Sequence, residues 1–352
     1  MLIRYGKTAQ GAPIKQAIIY TKAEHSLKQK DIDPDAVSIL LRLRSAGHTA
    51  YIVGGAIRDL LVGRKPKDFD LVTDAHPRKI KRLFRNSRII GKRFRLVHVY
   101  FGNKIIEVST FRSFNSVDQN EYGTIQEDVL RRDFTLNALY YCPLEEIILD
   151  YVGGVKDIQD RIVRPLIPLK QIFSEDPVRM LRAVKYAAML DFKIPFFTRR
   201  AILKESSLLH TSSPSRLTEE LFKILGTGAA ASTLKALYSF KLLRYFIPAL
   251  DIALRENKNN FADRFYRTME SFDHRKPNGE ERVLGLQALL RVSLEDLKLK
   301  EEQGETEVVP LLFKDYYTAA KKFLFPLSPP NRDVDRAVLS IFRELKPKRA
   351  RK

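Results

Sequence analysis

Ala50-Tyr51-Ile52-Val53-Gly54-Gly55-Ala56-Ile57-Arg58-Asp59-Leu60-Leu61-Val62-Gly63, followed after four residues by Asp68-Phe69-Asp70-Leu71-Val72, is the stretch on which the reading of the fold turns. The apolar run from Ala50 to Val53 reads as a buried strand, Gly54-Gly55 as a turn, and Ile57 to Val62 as a short helix stopped by Gly63. Phe69 with Leu71-Val72 suggests a second strand. Side chains alternate across a strand, so Asp68 and Asp70 share one face while Phe69 points into the core. Two glycines where a strand meets a helix let backbone N–H groups approach a phosphate, and Arg58 adds a guanidinium one turn in. Adjacent carboxylates repel each other. Oxygen ligands on one rigid strand suit Mg²⁺, which takes one or two carboxylates plus substrate phosphates.

Outward from this unit, a helical pattern runs from Asp31 to a stop at Gly47, and another from Pro77 to Phe84. Arg95 to Phe101 and Lys104 to Thr110 alternate like a hairpin across Gly102-Asn103. Glu107, on its second strand, could supply a third oxygen ligand to a metal at Asp68 and Asp70. His98 reads as packed in the apolar strand. The first thirty residues are basic and read as an arm. Beyond Phe173 helical periodicity dominates. The expected class is α+β, a small mixed α/β head followed by an all-helical neck and body. The expected divisions are an arm at 1–30, the head at 31–160, a neck at 161–228, a body at 229–345 and a basic tail at 346–352.

Composition narrows the function. With 352 residues the chain is long enough for more than one core. Lys and Arg total 62 against 42 Asp and Glu, a formal charge of +20 that attracts polyanions, nucleic acid first. The single Cys142 excludes an intramolecular disulfide and fits a reducing, cytoplasmic setting. There is no HExxH among the six His, no G-x-G-x-x-G and no Walker A sequence. No apolar run is long enough to span a membrane. A phosphate-compatible turn and a metal-compatible carboxylate pair in one α/β unit suggest metal-assisted nucleotidyl transfer.

Four ordered motifs sharpen this. The first is Gly54 to Gly63 with Asp68-Phe69-Asp70. The second is Arg131-Arg132-Asp133-Phe134-Thr135-Leu136-Asn137-Ala138-Leu139, and the third Asp150-Tyr151-Val152-Gly153-Gly154-Val155-Lys156-Asp157. The fourth is Glu175-Asp176-Pro177-Val178-Arg179-Met180-Leu181-Arg182-Ala183. Over residues 24 to 225 the chain resembles the class II nucleotidyltransferases, the bacterial poly(A) polymerases and CCA-adding tRNA nucleotidyltransferases. The resemblance implies that Asp68 and Asp70 hold the catalytic Mg²⁺ (Mn²⁺ as the alternative), with Asp133 among the essential acids. Gly54, Gly55 and Arg58 would face the triphosphate; Arg132, Asp133 and Asn137 would contact sugar and phosphate. Asp176 and Arg179 would read the base edge, with Arg182 close by. Three-residue spacing would put 176, 179 and 182 on one helix face, although Ser174 as an N-cap with acids in the first turn reads the same stretch structurally.

Ile89 to Val99 and Lys65 to Asp70 look like the poly(A) branch of the family. So does Ser215 before Arg216 in the fifth motif, where CCA-adding members usually have Glu. The resemblance therefore implies a template-independent polymerase that adds AMP from ATP to RNA 3′ ends of mRNA and small RNAs. CCA addition to tRNA is the alternative, and an inactive RNA-binding module a distant third. From Ala75 to Ile106 the chain has ten Lys or Arg and no acid. Arg82, Arg85, Arg88, Lys92, Arg93 and Arg95 there, with Lys348, Arg349 and Arg351 in the tail, are the expected phosphate contacts to RNA.

Overall fold

A computed structural model describes residues 2–7, 13–91, 95–113, 122–275, 279–302 and 311–346. The chain divides into two compact units, Met1–Pro168 and Leu169–Lys352.

The first unit is a mixed sheet flanked by short helices. Its strands are β1 (Leu2–Lys7), β2 (Pro13–Tyr20), β3 (Ala50–Val53), β4 (Asp70–Thr73), β5 (Ser87–Ile90), β6 (Leu96–Phe101), β7 (Lys104–Thr110), β8 (Leu139–Cys142) and β9 (Ile147–Asp150), in the order β1-β2-β9-β8-β3-β4-β7-β6-β5. The helices are α1 (Pro34–Ser45), α2 (Gly55–Leu61), α3 (Pro77–Leu83), α4 (Ile125–Leu130) and α5 (Gly154–Gln159). Asp33 caps α1, its carboxylate accepting from the Asp35 amide at 2.9 Å with Pro34 at the first helical position. Gly47, at φ +82, closes the turn after this helix.

β3 lies at the centre. It pairs antiparallel with β4 on one side and with β8 on the other, so Val53 stands opposite both Asp70 and Tyr140. β4 in turn pairs parallel with β7, Leu71 opposite Val108. This register gathers the end of β3, the start of β4 and the Glu107 region of β7 at one end of the sheet. Beneath them Val53, Val72, Phe111, Val129, Ala138, Tyr140 and Leu149 form a buried cluster.

The N-terminal segment differs from the expected arm. β1 and β2 form an antiparallel pair, and β2 joins the sheet through Ile18, Ile19 and Tyr20 opposite Asp150, Leu149 and Ile148. The apolar run Ala17-Ile18-Ile19 carries this strand, with Ala17 buried. The head also extends past 160. The Thr135 amide donates to the Arg164 carbonyl at 3.0 Å and the Leu166 amide to that of Asp133 at 3.0 Å, which ties residues 164–166 to the second motif.

The second unit is helical: α6 (Ile172–Glu175), α7 (Val178–Leu190), α8 (Phe196–Glu205), α9 (Pro214–Leu225), α10 (Ala230–Ser239), α11 (Leu243–Phe246), α12 (Pro248–Glu256), α13 (Phe261–Asp273), α14 (Glu281–Glu302), α15 (Phe313–Leu324) and α16 (Asn331–Leu345). Asp273 caps α10, accepting from the amides of Ala230 and Ala231 at 2.8 Å each. A Cβ on Gly285 would lie 2.8 Å from Leu225, so the glycine lets α14 press against the end of α9. Among the described residues no helix is long and apolar enough to cross a membrane.

Candidate active site

Only Asp70 of the acidic pair begins a strand; Asp68 and Phe69 lie in the connection before β4, and Phe69 is half-buried rather than a core residue. Pairing with β3 starts at Asp70, so the ladder cannot extend the strand backward. Both carboxylates are on exposed residues at the sheet end. The atoms packed around the Asp70 carboxylate strip much of its hydration. This desolvation, with the charges of Asp68 and Glu107, pushes its pKa up to about 7 against the opposing pull of Arg132. Glu107 sits on the neighbouring strand and accepts from or shares a proton with His98 Nε2 at 3.2 Å, so His98 faces an acid and is not sealed in the core. Among the described residues no three His, Cys, Asp or Glu side chains are gathered closely enough to form a metal cluster, and Glu107 stands beside the pair rather than in one closed set with it.

Gly54 follows β3 and caps α2 with φ 73 and ψ −129, a backbone region open to glycine. Two guanidiniums flank the turn. A Cβ on Gly54 would lie 3.6 Å from Arg132 Nη1, and one on Gly55 would lie 3.5 Å from Arg58 Nη2. Arg58 is buried, and donates to Asp59 Oδ1 at 2.9 and 2.7 Å and to Asn137 Oδ1 at 2.7 Å. Asn137 Nδ2 donates to Asp133 Oδ1 at 3.1 Å, which also accepts from the Phe134 amide at 2.9 Å. Asp133 and Asn137 are themselves buried, linked into one chain that ends at Arg58.

Arg132 is held from the other side. Asp128 Oδ2 accepts from Arg132 Nη2 at 2.9 Å and from the Tyr140 hydroxyl at 2.7 Å, while Arg132 Nε also reaches the Tyr140 oxygen at 3.0 Å. Arg132 Nη1 donates to the Asn137 carbonyl at 3.1 Å. Burial works against the charged guanidinium, but Tyr140 and Asp128 together raise its pKa further above the ordinary arginine value. Asp128 and Tyr140 went unread in the sequence. The signal available was the acid four residues before Arg132 on α4.

The third motif supports this arrangement from below. Asp150 accepts four amides, those of Val152, Gly153, Gly154 and Val155, at 2.8–3.0 Å, and so fixes the turn into α5. A Cβ on Gly154 would come within 2.3 Å of the Thr135 carbonyl oxygen, so only glycine permits this approach. Asp157 accepts from the Thr135 hydroxyl at 2.7 Å and from Arg164 Nε at 3.0 Å.

In the helical unit, Asp176 does not lie on the helix with Arg179 and Arg182. It is extended, at φ −149 and ψ 92, between α6 and α7, because the following Pro177 disfavours helical backbone before it. Ser174 is inside α6, its hydroxyl donating to the Gln171 carbonyl at 3.0 Å, and caps nothing. Asp176 Oδ1 accepts from the Val178 amide at 3.2 Å, and Oδ2 accepts from Arg216 Nη2 at 2.7 Å. Arg179 donates to Glu175 at 3.1 Å and stands 4.0 Å from Asp176. Arg182 reaches the Tyr186 hydroxyl at 3.3 Å. Arg216 of the fifth motif thus joins the acid of the fourth, 40 residues away.

Of the basic residues, Arg82, Arg85, Arg88 and Arg95 are exposed around α3 and the edge strand β5. Lys104 is spent internally, paired with Asp33 at 2.8 Å and with Asp35. Lys92, Arg93, Lys348, Arg349 and Arg351 lie outside the described residues.

The site is therefore a carboxylate pair at a sheet end, beside a Gly-Gly turn flanked by two fixed guanidiniums. A family model described as "Poly A polymerase head domain" matches residues 50–164, and one described as "Probable RNA and SrmB- binding site of polymerase A" matches 191–254. Poly(A) polymerase I of Salmonella typhi is 39% identical over 278 residues, covering 74% of this chain and 60% of that protein. The CCA-adding enzyme of Bacillus subtilis is 37% identical over 214 residues, 59% of this chain and 54% of that protein. Among solved structures, the Bacillus stearothermophilus CCA-adding enzyme in complex with CTP superposes with a TM-score of 0.60 at 26% identity, covering 89% of this chain and 84% of that one. The chain belongs to the class II nucleotidyltransferase family of bacterial poly(A) polymerases and CCA-adding enzymes. It spans about 60% of the length of the poly(A) polymerases it matches.

Proposed function

We propose that the protein is a template-independent poly(A) polymerase, transferring AMP from ATP to RNA 3′ ends with release of pyrophosphate. The observation that carries the reading is the pairing of Asp70 with Val53, which brings the acid beside the Gly54 turn, with Arg58 and Arg132 fixed at that turn. Backbone amides at the turn and the two guanidiniums bind and orient the triphosphate. Asp133 and Asn137 hold Arg58 in place, and Asp128 and Tyr140 hold Arg132. The oxygen donors of Asp68 and Asp70, and the electrostatic penalty on charging Asp70, fit a divalent cation, Mg²⁺ with Mn²⁺ as the alternative. Such a cation would lower the pKa of the attacking hydroxyl and neutralise the leaving pyrophosphate. Asp176, held by Arg216, and Arg179 read the base edge of the incoming nucleotide.

RNA as the acceptor is supported by the net charge of +20 and by the exposed arginines at β5. Phe196 and Phe197 add support: they are 71% and 70% exposed, within an acid-free stretch from Phe192 to Lys204 that carries Lys193, Arg199 and Arg200. Exposed rings among cations are a stacking platform for unpaired bases. Greater coverage and identity to poly(A) polymerases, together with Ser215, favour poly(A) over CCA addition.

The test is extension of a labelled generic RNA and of a tRNA lacking its 3′ end, with ATP, CTP or both. Long ladders from ATP on the generic RNA are expected. Three nucleotides added only to the tRNA, requiring both substrates, would make it a CCA-adding enzyme.

A further inference from the structure

The groove between α13 and α14 encloses about 290 Å³ in the part of the chain that neither family model covers. Arg267 and Ser271 lie one turn apart on α13, Arg275 lies just past its end, and all three line the groove; Gln287 and Arg291 line it from α14. Charge bookkeeping separates these arginines from their neighbours. Arg264 is paired with Asp296 at 2.5 Å and Glu295 at 3.0 Å, and Arg291 with Glu344 and, at 3.6 Å, Glu295. Arg267 and Arg275 have no carboxylate partner among the described residues, yet both line the groove.

We propose that this groove binds the phosphodiester backbone of RNA through Arg267 and Arg275. The assignment rests on the RNA reading above. Guanidinium forks with a hydroxyl between them are donors without a matching acceptor, the chemistry of a phosphate site. Arg267 projects from α13 and Arg275 from the turn that follows it, so the guanidiniums come from separate points of the groove wall and are assigned to separate phosphates of a strand. Contacts of this kind grip RNA without reading its sequence, so they suit a tail of any length.

The experiment is the salt dependence of binding of a labelled twenty-nucleotide oligo(A) to the full chain and to the double variant Arg267→Gln/Arg275→Gln. Two lost phosphate contacts should flatten the slope of log K against log[salt] by about 1.4, at about 0.7 per single-strand contact. Both arginines are exposed, so the variant is expected to fold, and its circular dichroism and melting temperature check this. An unchanged slope in a folded variant overturns the proposal. Adenosine monophosphate, titrated at constant ionic strength, separates strand from free nucleotide: binding to the parent chain that the variant loses would overturn the backbone assignment in favour of a mononucleotide site. Nucleotide incorporation is scored separately. Incorporation from ATP with an unchanged slope leaves the polymerase reading standing and removes the groove, and a flattened slope without incorporation does the reverse.

Discussion

The guanidinium of Arg132 stands 3.6 Å from the point a Cβ would occupy on Gly54, the residue that follows Val53, which ends the central strand opposite Asp70. The turn and the arginine of the second motif thus form one surface, although 78 residues separate them in sequence. Gly54→Ala introduces a side chain at φ 73 and ψ −129, where an L-residue is strained by about 1–3 kcal/mol. The variant should lose that much unfolding free energy in urea titration and lose nucleotide affinity, since the turn amides would shift.

On the proposed function, Asp128 and Tyr140 act on the triphosphate through Arg132. Tyr140→Phe removes a hydroxyl that donates to Asp128 at 2.7 Å and accepts from Arg132 at 3.0 Å. A loosened Arg132 should raise KM for ATP about tenfold, equivalent to roughly 1.4 kcal/mol, with a smaller change in kcat. A purely structural role for Tyr140 would instead lower the melting temperature and leave the KM of the folded fraction unchanged.

Asp70 is held in a state that costs stability. Its pKa is about 7 in the folded chain against an ordinary 3.8, so between these values the folded state binds more protons than the unfolded one. By linkage, stability of the metal-free protein falls as pH rises through that window. Asp70→Asn should therefore raise the melting temperature in EDTA, with a gap that widens from pH 5 to pH 8. After discounting for the solvent at this exposed residue, the gain is on the order of 1 kcal/mol. No gain at pH 8 would contradict the electrostatic account of the acidic pair.

Lys185 and Glu220 form a buried pair at 2.8 Å, with Lys223 at 3.1 Å from the same carboxylate. Burial alone would raise the Glu220 pKa, but Lys185 and Lys223 hold it below its ordinary 4.5. The pair's contribution is therefore full above that ordinary value and is lost as pH falls through the lower folded value. Lys185→Met leaves the buried carboxylate with the exposed Lys223 as its ion-pair partner and should cost up to about 3 kcal/mol at pH 7, and a further Glu220→Gln change should recover much of it. Urea titrations at pH 7 and at acidic pH measure both effects.

Local signals carried much of the head. The strand, Gly-Gly turn and helix from Ala50 to Leu61 were legible because each depends on contiguous residues, as was the hairpin across Gly102-Asn103. The buried pairings were not. Asp128 meets Tyr140 from a separate element, Arg216 meets Asp176 across 40 residues, and Glu220 meets Lys185 across 35. Residue type alone does not say which acid a chain will bury beside which base. The N-terminal strand was hidden for another reason: its short apolar run becomes a strand by docking on β9, a tertiary effect. The place of Asp176 off its helix was in principle readable, since Pro177 follows it.

The most direct test of the central claim, that Asp70 and the Gly54 turn beside it make one nucleotidyl-transfer site, is the rate of labelled AMP incorporation onto RNA by Asp70→Ala, compared with the parent chain at equal folded concentration. Loss of the proposed acidic metal ligand, with a charge stabilisation of several kcal/mol, should lower that rate by about a thousandfold or more, with the melting temperature preserved or raised. Incorporation within tenfold of the parent, by a folded and contaminant-free variant, would contradict the account and move the chemistry elsewhere in the chain.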